Sequence, residues 1–164
     1  DVNVVYTSGM GRLFDAVSGV LDVCIRQSYE GQAPMELESI AAPLEEAGTY
    51  DVDSLDAGAI LEQVYRDTAP ADVRSARFHN TVISATAREA LRAAEEWGVE
   101  HVCLSGGCFQ NVLLLQGVIE ALEGRVNVHR HRLVPPNDGG IALGQLAAAA
   151  ACRKAGRSRG EGNS

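Results

Sequence analysis

Apolar residues recur at helical spacing along most of the chain. From Met10 to Arg26, Leu13, Phe14, Val17, Val20, Leu21, Cys24 and Ile25 fall on one face, which predicts an amphipathic helix with Ser8 as its N-cap. The spacing of Ala33, Met35, Leu37 and Ile40 predicts a second helix over Gly31 to Ala42, with Ser28 available as a cap and Pro34 in the first turn. Ile60, Leu61 and Val64 mark a third over Asp56 to Asp67. A long one follows from Ala71 to Trp97, started by Pro70 and stopped by Gly98, with Val73, Ala76, Val82, Ile83, Ala90, Leu91 and Ala94 as its stripe. The acidic, turn-rich stretch from Pro43 to Asp53 reads as a surface connection.

Beyond Gly98 the pattern changes. Val99 to Ser105 is a short β-prone run. Phe109 to Leu122 is helical, with Val112, Leu113, Leu115, Val118, Ile119 and Leu122 apolar and Gly124 as its stop. Val126 to Arg130 then alternates apolar and polar. Strand, helix and strand within about 30 residues predict a βαβ unit with parallel strands. Val2 to Tyr6 is a further β-prone run, and an alanine-rich helix is expected from Gly139 to Ala155. The polar, glycine-rich end, 156–164, reads as a disordered tail. The whole is an α/β lobe, residues 1–155, with few strands for its helices. So small a sheet makes a poor free-standing domain. Together with the start at Asp1 rather than Met, this leads us to expect further strands upstream in a longer polypeptide.

Two junctions carry candidate chemistry. The first is Leu104-Ser105-Gly106-Gly107-Cys108-Phe109-Gln110-Asn111, a strand, a glycine turn and a helix start. Free N–H groups and the helix dipole favour an anion there, most often a phosphate. Gly106 and Gly107 let the backbone approach it, and the Asn111 amide falls where it could reach a phosphate oxygen or a cap position. A glycine turn used only for packing is the competing reading. The turn lacks the Gly-Lys-Ser/Thr of a Walker A loop and is not a G-x-G-x-x-G fingerprint. The second junction is Asn137-Asp138-Gly139-Gly140, after Pro135-Pro136. Asp138 is either a helix N-cap or a carboxylate facing the phosphate to hold a divalent cation.

Charge and cysteine content narrow the classes. A formal charge of −8 with a pI near 4.9 leaves no basic footprint for nucleic acid or for an anionic membrane. No apolar run approaches the roughly 20 residues of a membrane span, and no signal peptide is visible. Cys24, Cys103, Cys108 and Cys152 form no C-x-x-C pair, so a reducing cytoplasm without a structural zinc is expected. His79 lies mid-helix with no second histidine one turn on, which favours a satisfied side chain over a metal ligand. Asp15 and Glu30 read, from the residues alone, as ordinary helix carboxylates.

The set Thr7-Ser8-Gly9-Met10-Gly11-Arg12-Leu13-Phe14-Asp15, Ser28-Tyr29-Glu30-Gly31-Gln32-Ala33, the Gly106-Gly107 junction and Pro135 to Gln145 resembles, in order and spacing, the C-terminal end of the carbamoyltransferases that mature nickel–iron hydrogenases, the HypF family. The resemblance covers nearly the whole chain. It implies a Kae1-like lobe of the actin/sugar-kinase/Hsp70 fold, similar to the tRNA threonylcarbamoyl transferase. It implies upstream domains that make carbamoyl-adenylate from carbamoyl phosphate and ATP. It implies transfer of the carbamoyl group to the C-terminal Cys of a maturation protein, on the way to cyanide. By the same resemblance Gly106, Gly107 and Asn111 hold the nucleotide phosphate and Asp15 and Glu30 the ribose. Gly139 allows a close approach, and Asp138 binds a divalent metal, with magnesium, iron and zinc not distinguished. No catalytic residue is implied within the chain. The family's histidine pair, which completes its metal site, has no match: His79, His101, His129 and His131 are not spaced like it. Cys108 stands where an aliphatic residue is common and reads as a small apolar substitution. The expectation is half of an active site, unable to transfer carbamoyl alone. The alternatives are a non-catalytic lobe that binds nucleotide and docks a partner, or a threonylcarbamoyl or antibiotic O-carbamoyl transferase. The acidic chain and the Asn-Asp-Gly-Gly turn weigh against the tRNA enzyme.

Overall fold

A computed structural model describes Thr7 and residues 9–160, with side chains as far as Arg153. The expected strand from Val2 to Tyr6, the Ser8 cap and the last four residues lie outside the described residues. The elements in order are α1 (Met10–Val20), α2 (Gln32–Ser39), α3 (Leu44–Ala47), α4 (Ala57–Arg66), α5 (Ala71–Trp97), β1 (His101–Leu104), a 3-10 turn (Gly107–Gln110), α6 (Val112–Leu122), β2 (Asn127–Arg130), a second 3-10 turn (Asp138–Gly140) and α7 (Ile141–Gly160).

Helix α5 is the spine. Its 27 residues span about 40 Å, and its bounds are those its proline and glycine predict: Pro70 precedes it and Gly98 closes it in the left-handed region. Its inner face buries Phe78, His79, Val82 and Ile83. Phe14 of α1 meets Phe78 edge-on, with ring centroids 4.9 Å apart. Leu37 of α2, Ile60 and Val64 of α4, and Val118 and Leu122 of α6 complete one contiguous core. Gly117 explains how closely α6 lies on α5: a Cβ there would come within 2.4 Å of Ile83 Cδ1. The Pro43 to Asp53 connection is pinned rather than loose. It contains α3, and α5 grips it through Asn80 Nδ2 to the carbonyls of Leu44 and Gly48 and through Thr81 Oγ1, which accepts from Tyr50 N at 2.8 Å.

Several expected boundaries move. Helix α1 stops at Val20 instead of Arg26 because a Schellman turn closes it: Val23 N donates to Ser18 O and Asp22 N to Gly19 O, with Asp22 itself at φ 59°. Leu21 and Cys24 stay buried beyond it. Helix α2 begins after Gly31, at φ 83°, and ends at Ser39; Ser28 does not cap it but donates from its backbone N and its hydroxyl to Gln32 Oε1. Helix α7 continues to Gly160, past the expected end at Ala155 and into the stretch expected to be a disordered tail. The alanine-rich run carries it through Gly156, since one glycine costs a helix only about 1 kcal/mol.

The sheet is the predicted βαβ pair. β1 and β2 run parallel, with Leu104 beside Arg130 and Cys103 beside His129. Parallel strands are normally covered on both faces. Here α5 lies against β1 and α6 against β2, while His101, Cys103 and His129, which alternate onto one face, are exposed. Helix α7 is exposed along its described side chains, including Ile141, Leu143 and Leu146. Among the described residues no helix is long and apolar enough to cross a membrane.

Candidate functional site at the carboxyl ends of the strands

Beyond Leu104 the backbone turns at Gly106, whose φ 106° and ψ 155° are open essentially to glycine alone. Gly106 N donates to Pro136 O at 2.9 Å, which fastens this turn to the second junction. Phe109 N then donates to Gly106 O and Asn111 N to Cys108 O, forming a tight 3-10 turn instead of the first turn of a long helix. Helix α6 therefore starts at Val112, not Phe109. Asn111 leaves helical geometry to cap it, accepting from Leu114 N at 2.8 Å.

The N-terminus of α6 is not free for a ligand. Glu38 Oε1, from α2, accepts from Val112 N at 2.7 Å and from Leu113 N at 3.3 Å. The carboxylate that the helix dipole attracts is the chain's own. The Asn111 amide is occupied as well. It is buried, and its Nδ2 donates to His79 Nε2 at 3.0 Å. The Gly107 and Cys108 N–H groups open the 3-10 turn and enter no hydrogen bond to another residue among the described residues, the Cys108 N–H lying against its own thiol.

The second turn lies alongside. A Cβ on Gly107 would sit 3.9 Å from Asn137 Cβ. Asn137, not Asp138, is the cap here, accepting from Gly139 N at 3.1 Å. This leaves the Asp138 carboxylate exposed and outside the hydrogen bonds of the described residues, although its carbonyl accepts from Ile141 N. Gly139 and Gly140 are called for by the turn's own crowding: a Cβ on the first would meet Pro135 Cγ at 3.1 Å, and on the second Pro135 O at 3.0 Å.

Helix α1 forms the third side. A Cβ on Gly11 would lie 3.9 Å from Cys108 Sγ. Burial pushes the Cys108 thiol up; its own backbone N–H and then Arg12 pull it down and Asp15 raises it further, so it is no ready nucleophile. Asp15 is half-sheltered, its side chain 17% exposed. Its Oδ1 accepts from Gln27 Nε2 at 3.1 Å, while Oδ2 lies 2.9 Å from the Arg12 guanidinium but outside hydrogen-bond geometry. Glu30, in the turn before α2, is exposed and unbonded among the described residues.

The structure thus brings Gly106, Gly107, Gly139, Asp138 and the Arg12–Asp15 pair to one edge. That edge is the carboxyl end of the parallel strands, where open α/β sheets bind ligands. Asn111 it turns inward. His131 was not singled out by any motif, yet its Nε2 lies 2.9 Å from Ser105 Oγ, tying the two strand ends together. The βαβ register carries that signal, since Leu104 beside Arg130 sets Ser105 opposite His131. No group of three or more His, Cys, Asp or Glu among the described residues is placed to hold a metal.

The family model described as carbamoyltransferase, Kae1-like domain, second subdomain, matches residues 1–145, both turns included. The chain belongs to the HypF carbamoyltransferase family. It is 41% identical over 146 residues to the carbamoyltransferase HypF of Rhizobium leguminosarum bv. viciae, covering 86% of this chain and 19% of that protein. It is 39% identical to the HypF of Rhodobacter capsulatus over 154 residues, covering 92% of this chain and 20% of that one. Among solved structures, full-length HypF in its phosphate- and nucleotide-bound form superposes with a TM-score of 0.82 at 41% identity, over 88% of this chain and 20% of that chain. HypF of T. kodakarensis gives 0.71 at 30% identity, over 91% and 21%. The α/β, Kae1-like fold expected from the sequence is the one found, and this chain spans about one fifth of the length of these four HypF proteins.

Proposed function

We propose that this chain is the nucleotide-holding lobe of a carbamoyltransferase of the HypF kind. Such an enzyme passes a carbamoyl group from carbamoyl-adenylate to the C-terminal Cys of a hydrogenase maturation protein in the cytoplasm. The observation that carries the reading is the convergence of the Gly106-Gly107 turn, the Asp138 turn and the Arg12–Asp15 pair at the carboxyl edge of β1 and β2. The nucleotide phosphate sits on the N–H groups of Gly107 and Cys108, displacing the Cys108 thiol from the second, with the Arg12 guanidinium close to Cys108 as countercharge. Asp15 and Glu30 accept from the ribose hydroxyls. Gly139 keeps side-chain bulk out of the second turn, and Asn111 serves from inside as the cap that sets where the turn ends.

Asp138 supplies one exposed hard oxygen, which suits a divalent cation shared with phosphate oxygens; magnesium, iron and zinc all accept such a ligand. That cation, when bound, stabilises charge on the leaving phosphate. The remaining ligands, the adenylate-forming domains and the acceptor come from outside this chain, so isolated, it binds nucleotide and does not turn over. A second reading, a non-catalytic lobe that binds nucleotide and docks a partner, draws on the exposed face of β1 and β2 and the exposed α7.

Calorimetric titration of ADP with Mg²⁺ tests the proposal. Saturable binding that is lost in Gly107→Val and no longer depends on Mg²⁺ in Asp138→Ala supports it. A folded chain that binds no ADP contradicts it. Carbamoyl transfer by the isolated chain would contradict the half-site reading.

A further inference from the structure

His79 is fully buried between Phe14, at a ring-centroid distance of 5.6 Å, and Phe78, at 5.7 Å. Its Nδ1 lies 2.8 Å from Ser75 O, a carbonyl that can only accept, so Nδ1 carries the proton. Its Nε2 is then a lone-pair acceptor, and Asn111 Nδ2 donates to it at 3.0 Å. That donation fixes the Asn111 amide with Oδ1 toward Leu114 N, the orientation in which it caps α6. The line continues behind His79, because Ser75 Oγ donates to Leu37 O of α2 at 2.6 Å. The next residue of α2, Glu38, holds the other two amides of the same helix start. Helices α2 and α5 thereby clamp the first turn of α6 from two sides.

We propose that His79 is a positioning residue for the glycine turn: through the Asn111 amide it fixes where the 3-10 turn ends and α6 begins, and so the direction of the Gly107 and Cys108 N–H groups. With Nε2 as acceptor, both ends of the Asn111 amide are paired. Without that acceptor Asn111 Nδ2 is left buried and unpaired, and the amide is held by the Leu114 bond alone. A histidine in the neutral Nδ1–H tautomer accepts from Asn111 and donates to Ser75 O with one rigid ring packed between two phenyl rings. The functional part rests on the nucleotide reading above; the positioning part does not.

Nitrogen-15 NMR of the 164-residue chain tests both parts. In the wild type, His79 is expected in the Nδ1–H tautomer, with slowly exchanging Asn111 side-chain protons; an Nε2–H tautomer overturns the proposal without any variant. His79→Phe keeps a ring between Phe14 and Phe78 but removes the acceptor. The Leu114 amide is then expected to exchange about tenfold faster, with shifts at Gly107 and Cys108 and ADP affinity down by about tenfold, equivalent to about 1.4 kcal/mol. His79→Gln, whose side-chain oxygen can accept from Asn111, is expected to recover part of that loss. A folded His79→Phe with wild-type Leu114 exchange and unchanged Gly107 and Cys108 shifts overturns the proposal. If the wild type binds no ADP, the nucleotide reading fails, and the tautomer and the Leu114 exchange still decide the positioning role.

Discussion

The two sides of the Gly106–Leu114 segment obey different rules. On the inner side every polar atom is paired: Asn111 with Leu114 and His79, Val112 and Leu113 with Glu38, and His79 with Ser75. On the outer side the Gly107 N–H and the Asp138 carboxylate are left without partners among the described residues, although the backbone there is held by Gly106 to Pro136 and by the Asn137 cap. A buried polar group left unpaired is costly, so the inner set reads as structure. An exposed, rigidly placed and unpaired set loses nothing to solvent and remains available to a ligand. A helix start that attracts anions is therefore not automatically a ligand site, because the attraction serves Glu38 equally well.

Breaking the inner side should cost stability. Asn111→Leu removes a helix cap and strands both Leu114 N–H and His79 Nε2. Loss of the cap at about 1 kcal/mol and of a buried partner at about 1–3 predicts a total of about 2–4 kcal/mol by urea denaturation. Glu38→Gln keeps an acceptor but removes the charge at the α6 dipole, and about 1 kcal/mol of destabilisation is expected in the same assay.

Acid should act on the same inner side. Burial holds the His79 pKa below its ordinary value, with the Ser75 carbonyl opposing that shift. The unfolded chain therefore binds a proton that the folded one resists. The stability His79 contributes is complete above about pH 6.5 and declines as pH falls from there toward the lowered folded value. A protonated ring would set Nε2–H against Asn111 Nδ2–H. Thermal melts between pH 7.5 and 5 should show a slope that His79→Phe flattens; equal slopes would remove His79 from the account.

The outer side should behave oppositely. Asp138→Asn is expected to leave stability within about 0.5 kcal/mol of wild type, as for other exposed substitutions, while removing the Mg²⁺ dependence of ADP affinity. A large loss of stability there would place Asp138 with the inner set.

Legibility in the sequence follows the range of the forces. Helix α5 was readable to the residue because Pro70 and Gly98 punctuate it locally. The βαβ unit and the adjacency of its two turns were readable because the hydrophobic period switches and parallel strands put both turns at one end. The end of α1 was not, because its left-handed residue is Asp22 where glycine is the usual signal. The 3-10 turn hides the start of α6 from the hydrophobic pattern, and of the two roles open to Asp138 the cap falls to Asn137 instead. Glu38 was invisible as a partner of α6, since its contact with Val112 joins residues 74 apart. His79 was correctly expected to be satisfied, but its partner Asn111 could not be named without the packing of α5 on α6.

One measurement bears most directly on the division between the two sides: amide chemical-shift mapping during titration with ADP and Mg²⁺. The largest changes are expected at Gly107, Cys108 and Asp138 to Gly140, with Val112 and Leu113 still bonded to Glu38. Large changes at Val112 to Leu114, with Glu38 displaced and the outer turn unmoved, would contradict that division.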